Sequence, residues 1–533
     1  MQRSITMTTS DPLAAPVVGT VTKAAIGLLC LATLMLAAVY TWQIPLRTDG
    51  GWYSYPGYAL ANGRDPSENL LPPEELRDHS HGIRAAFGWE NRTSLLVLTH
   101  AAWFRLAGAD PSSIRVFQIL QWLLLSSAIA AGAWALTRDR LTTLAIGLVA
   151  VSDSWVMSES LSDLRPDAPL ATISMVCLAA MILYCRSFKT RYALLAIIAA
   201  AAMFLMHATG AIPFAGCAAF AGIYVLLAYR RGVRVPWLLL AAVLAGGVAF
   251  IWRVQIFDVL IPTHVPPALE EAVRYDYLSK VIGAYADGIG PKLHRELMRW
   301  IDYVFVSNVL HGLVIVGGLV LTWRSRRSSQ SERGIEAIAV VAAFIGAFLT
   351  ITILNPHIAP SQLLSLVCIG YVAAAPGVAA LLQRHDQKLV RGVILFMILG
   401  VATLRAAHAS NTYLSLSRAG VSIASVKALM RRTVSGHPDQ MVIAPTIVWP
   451  YIPGDASVVL IDVRRAPWPA TSPMWRGIST LLVDREFLEK GWGPVMSDLE
   501  ACGAVEDIGT VGLADRGYYL RSLRMVRAGC SAD

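Results

Sequence analysis

A chain of 533 residues with 55% hydrophobic and only 15% charged residues, at a mean hydropathy of +0.53, is not an ordinary soluble globular protein. Its net charge of +9 lies in short cationic clusters between apolar runs, a membrane-topology signal rather than a nucleic-acid-binding stripe. The seven cysteines do not form the framework of a small disulfide scaffold.

Apolar runs of the length that crosses about 30 Å of hydrocarbon recur along the chain. They predict spans at about 22–42, 114–136, 141–157, 168–185, 192–207, 211–229, 236–256, 303–323, 335–354, 361–382 and 391–408. The first is too long for a signal-peptide core and lacks a clear small-residue cleavage site, so it is read as a span. With the N-terminus (1–21) in the cytoplasm, every second connection carries cations: Arg138/Arg140, Arg186/Lys189/Arg191, Arg230/Arg231/Arg234, Arg324/Arg326/Arg327/Arg333 and Arg384/Lys388/Arg391. The short opposite connections at 207–210 and 355–360 hold no Lys or Arg, the positive-inside pattern repeated. The stretch 92–107 is apolar but short and contains His100 and Arg105. A central Arg costs about 2.5–3.5 kcal/mol on insertion scales, so this segment is expected to lie along the outer membrane surface.

Two long outer loops follow from that assignment, 43–113 and 257–302, within a membrane domain covering 22–408. Residues 409–533 read as a soluble α/β domain on the outer face. Its predicted elements are a helix near 421–432, strands near 441–447, 458–463 and 479–482, a helix near 494–502 and a last strand near 518–526. Cys502 and Cys530 both fall in this domain, where a disulfide is one of two open outcomes. The fold class is mainly α, a polytopic membrane helix bundle of about eleven spans with a small C-terminal α/β domain.

No Walker A loop, Cys-x-x-Cys, His-Glu-x-x-His or complete Gly-x-Gly-x-x-Gly is present, so neither a P-loop ATPase nor a zincin is indicated. Candidate chemistry lies at the outer membrane face. Asp49, ringed by Trp52, Tyr53, Tyr55 and Tyr58, reads either as a capping carboxylate in an aromatic interfacial belt or as a general base. Asp163, Arg165 and Asp167 form the outer turn between the third and fourth spans, as a self-compensating helix cap or as part of a site. The 257–302 loop offers Arg274, Lys280, Lys292, His294, Arg295 and Arg299, either as a solvated helix or as an anion site. His207 and His357 sit on the same face, where either can hydrogen-bond a phosphate or sugar. The run Asp78-His-Ser-His81 after Glu74 and Glu75 admits a divalent metal, but a solvated loop accounts for it better.

Taken together, these residues resemble the GT-C membrane glycosyltransferases, in particular the glycosyltransferase family 39-like group of protein O-mannosyltransferases and lipid A aminoarabinose transferases. The resemblance rests on Asp49 after the first span, on Tyr58-Ala-Leu-Ala-Asn-Gly63 leading to Pro66, on the horizontal Ala102–Gly108 segment, on Ser113-Ile-Arg115 and on Leu164-Arg-Pro-Asp167. It covers the layout of about residues 20–410. Gly50 stands where the family pairs a second acidic residue, and Phe87-Gly-Trp-Glu-Asn91 replaces a Pro-Pro-Leu-like signature.

The resemblance implies a polyprenyl-phosphate sugar donor, inversion at the anomeric carbon and transfer on the periplasmic or extracellular face of the plasma membrane. Asp49 would deprotonate the acceptor hydroxyl, with Asp163 or Asp167 orienting it. Arg165, Arg274 and Lys280 would hold the lipid phosphate, with Tyr58, His207 and His357 as further substrate contacts. The implied partners are the bilayer, the lipid-linked donor and a glycan, lipid or protein acceptor. The rival readings are a transporter or flippase of a lipid-linked sugar, which moves its ligand without chemistry, and a silent membrane scaffold.

Overall fold

The computed structural model describes residues 48–63, 95–161, 164–260, 285–302, 308–325, 332–354, 363–384, 411–434, 441–452, 458–461, 469–513 and 518–530, with a few isolated positions. The expected spans at 22–42 and 391–408 lie outside the described residues, as do the Asp78–His81 run, Asp163, Arg274, Lys280 and His357.

The described α-helices up to residue 384 are α1 Thr48–Ala61, α2 Leu95–Ala107, α3 Pro111–Thr137, α4 Arg140–Ser152, α5 Ser154–Leu161, α6 Asp167–Ser187, α7 Thr190–Met206, α8 Ala211–Arg230, α9 Leu238–Leu260, α10 Ile289–Ile301, α11 Val309–Ser325, α12 Glu332–Leu354 and α13 Leu364–Arg384. Among the described residues, five helices are long and apolar enough to cross a membrane, or six if α4 and α5 are one broken span. The chain is a multi-pass membrane protein, and nine of the expected spans coincide with described helices. Buried Ala, Gly, Ser and Cys positions let these helices approach closely, as packing without a hydrophobic drive between helices requires.

One crossing is tied by a hydroxyl. Pro376 interrupts α13, and the Gly377 N–H donates to Thr322 Oγ1 of α11 at 2.9 Å, while that hydroxyl donates to the Ala373 carbonyl at 3.1 Å. The hydroxyl is thus inserted into the opened backbone bond, restoring both groups in a medium without water. Gly377 leaves no room for a Cβ, which would lie 2.1 Å from the Gly318 carbonyl oxygen. Thr322→Val is expected to destabilise the protein by about 1–3 kcal/mol, with Thr322→Ser close to wild type, as read by thermal unfolding in detergent.

The third expected span, 141–157, is broken. Asp153 leaves the helix in an extended conformation, and α4 and α5 meet at 70°. Its Oδ1 caps α5 by accepting from the Trp155 and Val156 amides, and its Oδ2 accepts from the Tyr371 hydroxyl at 2.6 Å. An Asp flanked by serines offers the backbone local partners that compete with helical bonding. Hydropathy averaged over the window conceals this.

The C-terminal part builds a mixed five-stranded sheet in the order β2-β1-β3-β5-β4, from Met441–Pro445, Val458–Ile461, Ile478–Asp484, Val505–Leu513 and Tyr518–Met525 numbered in chain order. β1 is parallel to β2 and β3, whereas β5 is antiparallel to β3 and β4. β4 has no counterpart in the sequence reading. Its Glu506, Asp507, Gly509 and Gly512 hide the alternation expected of a strand, and its register shifts between Asp507 and Gly509. Successive residues face opposite cores. Val442, Ala444, Leu482 and Leu520 join the core of the membrane helices and of α14 (Ile423–Val434). Ile443, Leu481, Val483 and Leu523 pack on α15 (Gly493–Ala501) with Phe487 and Trp492. Cys502 and Cys530 are bridged, tying the end of α15 to the end of the chain.

Candidate active site around the first described helix

α1 carries Asp49 in its first turn, where the helix dipole favours a carboxylate. The Asp49 side chain lies outside what the structure describes. The helix that presents it is clamped from three sides. α2 runs alongside in the same direction, close enough that a Cβ on Gly57 would sit 2.4 Å from the His100 Cβ. Arg105 donates through Nε and Nη2 to the Ala61 and Leu60 carbonyls, so the charge that made a span costly caps the end of α1 instead. On another side, a 3-10 turn of the C-terminal part, Thr446–Tyr451, meets α1. There the Trp449 indole N–H donates to Ser54 Oγ at 2.9 Å, and its ring lies 4.8 Å from that of Tyr58 and 5.6 Å from that of Phe104.

On the third side stands His207, the C-cap of α7. Its Nδ1 accepts from the Thr209 amide, which leaves Nε2 as the protonated nitrogen of the neutral ring. The ring meets the edge of Tyr53, with centroids 6.0 Å apart. Tyr53 is one turn beyond Asp49, on the same face of α1. Tyr58 is nine residues along, about 13 Å away and half a turn round, and it packs on Trp449 rather than beside Asp49. The Leu164–Asp167 turn is a paired unit: Arg165 Nε meets Asp167 Oδ2 at 3.1 Å, and Asp167, 5% exposed, opens α6.

α10 differs from a solvated surface helix. Lys292, Glu296 and Arg299 are buried, whereas Ile289, Leu293, Leu297 and Met298 are exposed. His294 and Arg295 remain exposed, as a solvated face predicts. An apolar outer face over a charged inner one suits a helix lying in a bilayer interface. Lys292 Nζ lies 2.8 Å from Glu296 Oε1, and Arg299 pairs with the same carboxylate. Burial lowers the Arg299 pKa, opposed by Glu296. The Asp78–His81 run, read as a solvated loop rather than a metal site, lies outside the described residues, and no cluster of three or more His, Cys, Asp or Glu is present among the described ones.

His100 is fully buried between Phe104, Phe117 and α1, with Nδ1–H donating to the Tyr53 carbonyl at 3.2 Å. Burial outweighs that bond and lowers its pKa from 6.5 to about 4. The unfolded chain therefore binds the extra proton between these values, and stability falls as pH drops from about 6.5 to 4. The loss is about 3 kcal/mol at most, and His100→Gln is expected to flatten that part of a stability–pH profile.

No family model matches the sequence, and no curated protein matches it. Two solved structures align along nearly its whole length. ArnT from Cupriavidus metallidurans in the apo state is 12% identical, with a TM-score of 0.56, covering 96% of this chain and 100% of that one. The same enzyme bound to undecaprenyl phosphate is 12% identical, with a TM-score of 0.52, covering 96% and 99%. The chain has the GT-C fold. Within the GT-C fold of this chain, sequence reading did not foresee Trp449 or Arg105 as supports of α1. The first is 395 residues from its partner Ser54, and nothing local signals that contact. Arg105 carried a readable signal, an arginine near the end of an apolar helix that must find carbonyls.

Proposed function

We propose that this protein is a membrane glycosyltransferase that moves a sugar from a polyprenyl-phosphate donor to an acceptor hydroxyl on the outer face of the plasma membrane. The observation that carries the reading is the match of 96% of the chain to a GT-C structure, one form of which holds undecaprenyl phosphate. The acceptor oxygen attacks the anomeric carbon with inversion as the carbon–phosphate-oxygen bond breaks, and that electron pair leaves on the lipid phosphate. Asp49 takes the hydroxyl proton. Asp163 or Asp167 orients the acceptor, and Arg165 stands against the departing phosphate with Arg274 and Lys280. His207 and His357 hydrogen-bond the substrate, and Tyr58 supports α1 through Trp449. A phosphate monoester on a lipid is already a good leaving group, so no nucleotide is needed at this face. The acceptor is a glycan, lipid or protein hydroxyl.

One feature favours the rival transporter reading: the break between α4 and α5, since transporters build sites at broken helices. Both oxygens of Asp153 are, however, engaged in capping α5 and in accepting from Tyr371, which makes the break a fixed structural joint. The test is release of free polyprenyl phosphate by the purified protein from a pool of polyprenyl-phosphate sugars with an envelope extract as acceptor. Release supports the proposal, and an unchanged donor pool with every sugar contradicts it.

A further inference from the structure

α1 is a poor helix by its own sequence, yet it carries the proposed base. Four of its fourteen residues, Gly50, Gly51, Pro56 and Gly57, are of the types least favoured in helix interiors. Gly50 and Gly51 follow Asp49 directly, so the first turn has the freest backbone of the element. Pro56 has no N–H with which to bond the Trp52 carbonyl four residues back, which interrupts the backbone ladder between the first turn and the rest. Such a helix keeps one conformation through what packs on it.

Trp449 engages both sides of this break. Its indole N–H donates to Ser54 Oγ at 2.9 Å, two residues before Pro56, and its ring lies 4.8 Å from that of Tyr58, two residues after it. The Tyr55 ring meets it edge-on at 6.2 Å. Ser54 is 0% and Trp449 4% exposed, so the bond lies out of water, where it is electrostatically stronger. Ser54 Oγ also reaches the Gly51 carbonyl, at 3.5 Å, inside the first turn. The indole is itself firmly mounted. Its turn, Thr446–Tyr451, leaves directly from β1, an interior strand between β2 and β3, and Ile447, Val448 and Tyr451 around it are buried. His100 and His207 hold Tyr53 before the break, and Arg105 holds Leu60 and Ala61 after it. Trp449 joins the two halves.

We propose that Trp449 is a positioning residue for glycosyl transfer: it splints α1 across Pro56 and so fixes the turn that presents Asp49 to the acceptor. This assignment rests on the glycosyltransferase reading, and it gives the C-terminal part a task in the chemical step. The full-length protein, Trp449→Phe, Ser54→Ala and the double variant are compared in detergent by hydrogen exchange and by steady-state release of polyprenyl phosphate. Phenylalanine keeps an aromatic ring in place of the indole and loses the donor. Alanine removes the hydroxyl and leaves the ring contacts of Trp449 intact. The amides of α1 are expected to exchange about tenfold faster in each single variant, the worth of one good hydrogen bond, with those of α6 and of the sheet unchanged. The kcat falls about 10–100-fold, the penalty for a base displaced by up to about 1 Å, while KM for the donor stays within about twofold. The double variant is no slower than the slower single variant, because both substitutions break the same bond. If Trp449→Phe does not fold, Ser54→Ala carries the comparison alone.

Wild-type exchange in α1 or wild-type kcat in the variants overturns the proposal, as does a loss confined to KM. Exchange that quickens equally throughout the chain overturns it too, since Trp449 would then serve general stability. A wild type that releases no polyprenyl phosphate from any donor overturns the glycosyltransferase reading itself, while the exchange of α1 still decides whether Trp449 splints that helix.

Discussion

Asp49→Asn is expected to lower donor turnover by about 10²–10⁴-fold, the range over which a positioned general base acts, while leaving the unfolding temperature within a degree or two. Asparagine keeps the size of the side chain and its ability to cap the first turn of α1, so the helix stays in place. It removes the ability to accept the acceptor proton. Binding of the lipid phosphate is expected to be unchanged, because Arg165 and the loop cations, not Asp49, face that group in the proposed scheme. Steady-state turnover together with lipid-dependent thermal shifts separates the two effects. Equal turnover by both proteins would remove Asp49 from the chemistry.

The largest expected loss of stability lies at the opposite end of the bundle, in the ion pair between Arg186 of α6 and Glu336 of α12. Glu336 is 2% exposed, and Arg186 Nε meets its Oε1 at 2.7 Å. The same guanidinium donates to the Ala135 and Leu136 carbonyls at 2.6 Å each, closing the C-terminal end of α3. One side chain thus ties three helices and neutralises a buried carboxylate. Arg186→Met leaves that carboxylate without its cation and two carbonyls without donors, and is expected to cost about 3–5 kcal/mol. Arg186→Met combined with Glu336→Leu is expected to be less damaging than Arg186→Met alone, since no uncompensated charge remains. Thermal unfolding of the four proteins in one detergent decides it. A double variant as unstable as the sum of the singles would contradict the account.

What the sequence made legible follows from what hydropathy and charge measure. Spans such as α6, α8, α12 and α13 are apolar over their full length, and their boundaries fall within a few residues of those expected. The surface placement expected for α2 rested on Arg105, and the structure supplies the partners that an arginine there requires. The break at Asp153 was not legible, because its partner Tyr371 lies 218 residues away and the Ser152-Asp153-Ser154 triplet stands between two apolar runs. β4 was hidden by the very residues that protect an edge strand, its exposed acids and glycines. The candidate site was legible as a list of residue types on one face. How α1 is held, by α2, by Trp449 and by the ring of His207, belongs to tertiary contacts that no local pattern announces.

The lower stability of these contacts toward acid also bears on function. His100 packs against the helix that carries Asp49, so protonation of His100 as the pH falls toward 4 loosens the support of that helix. Activity lost on acidification is therefore expected to return more fully in His100→Gln than in wild type.

The central claim is that this membrane protein performs chemistry on its lipid-linked ligand rather than moving it. It is tested most directly in sealed proteoliposomes containing a polyprenyl-phosphate sugar, with acceptor supplied on one side, by following both the chemical state and the leaflet of the donor. The account predicts conversion of the donor to free polyprenyl phosphate with the sugar recovered on the acceptor, and no conversion with Asp49→Asn. Donor that changes leaflet while remaining chemically intact would contradict it.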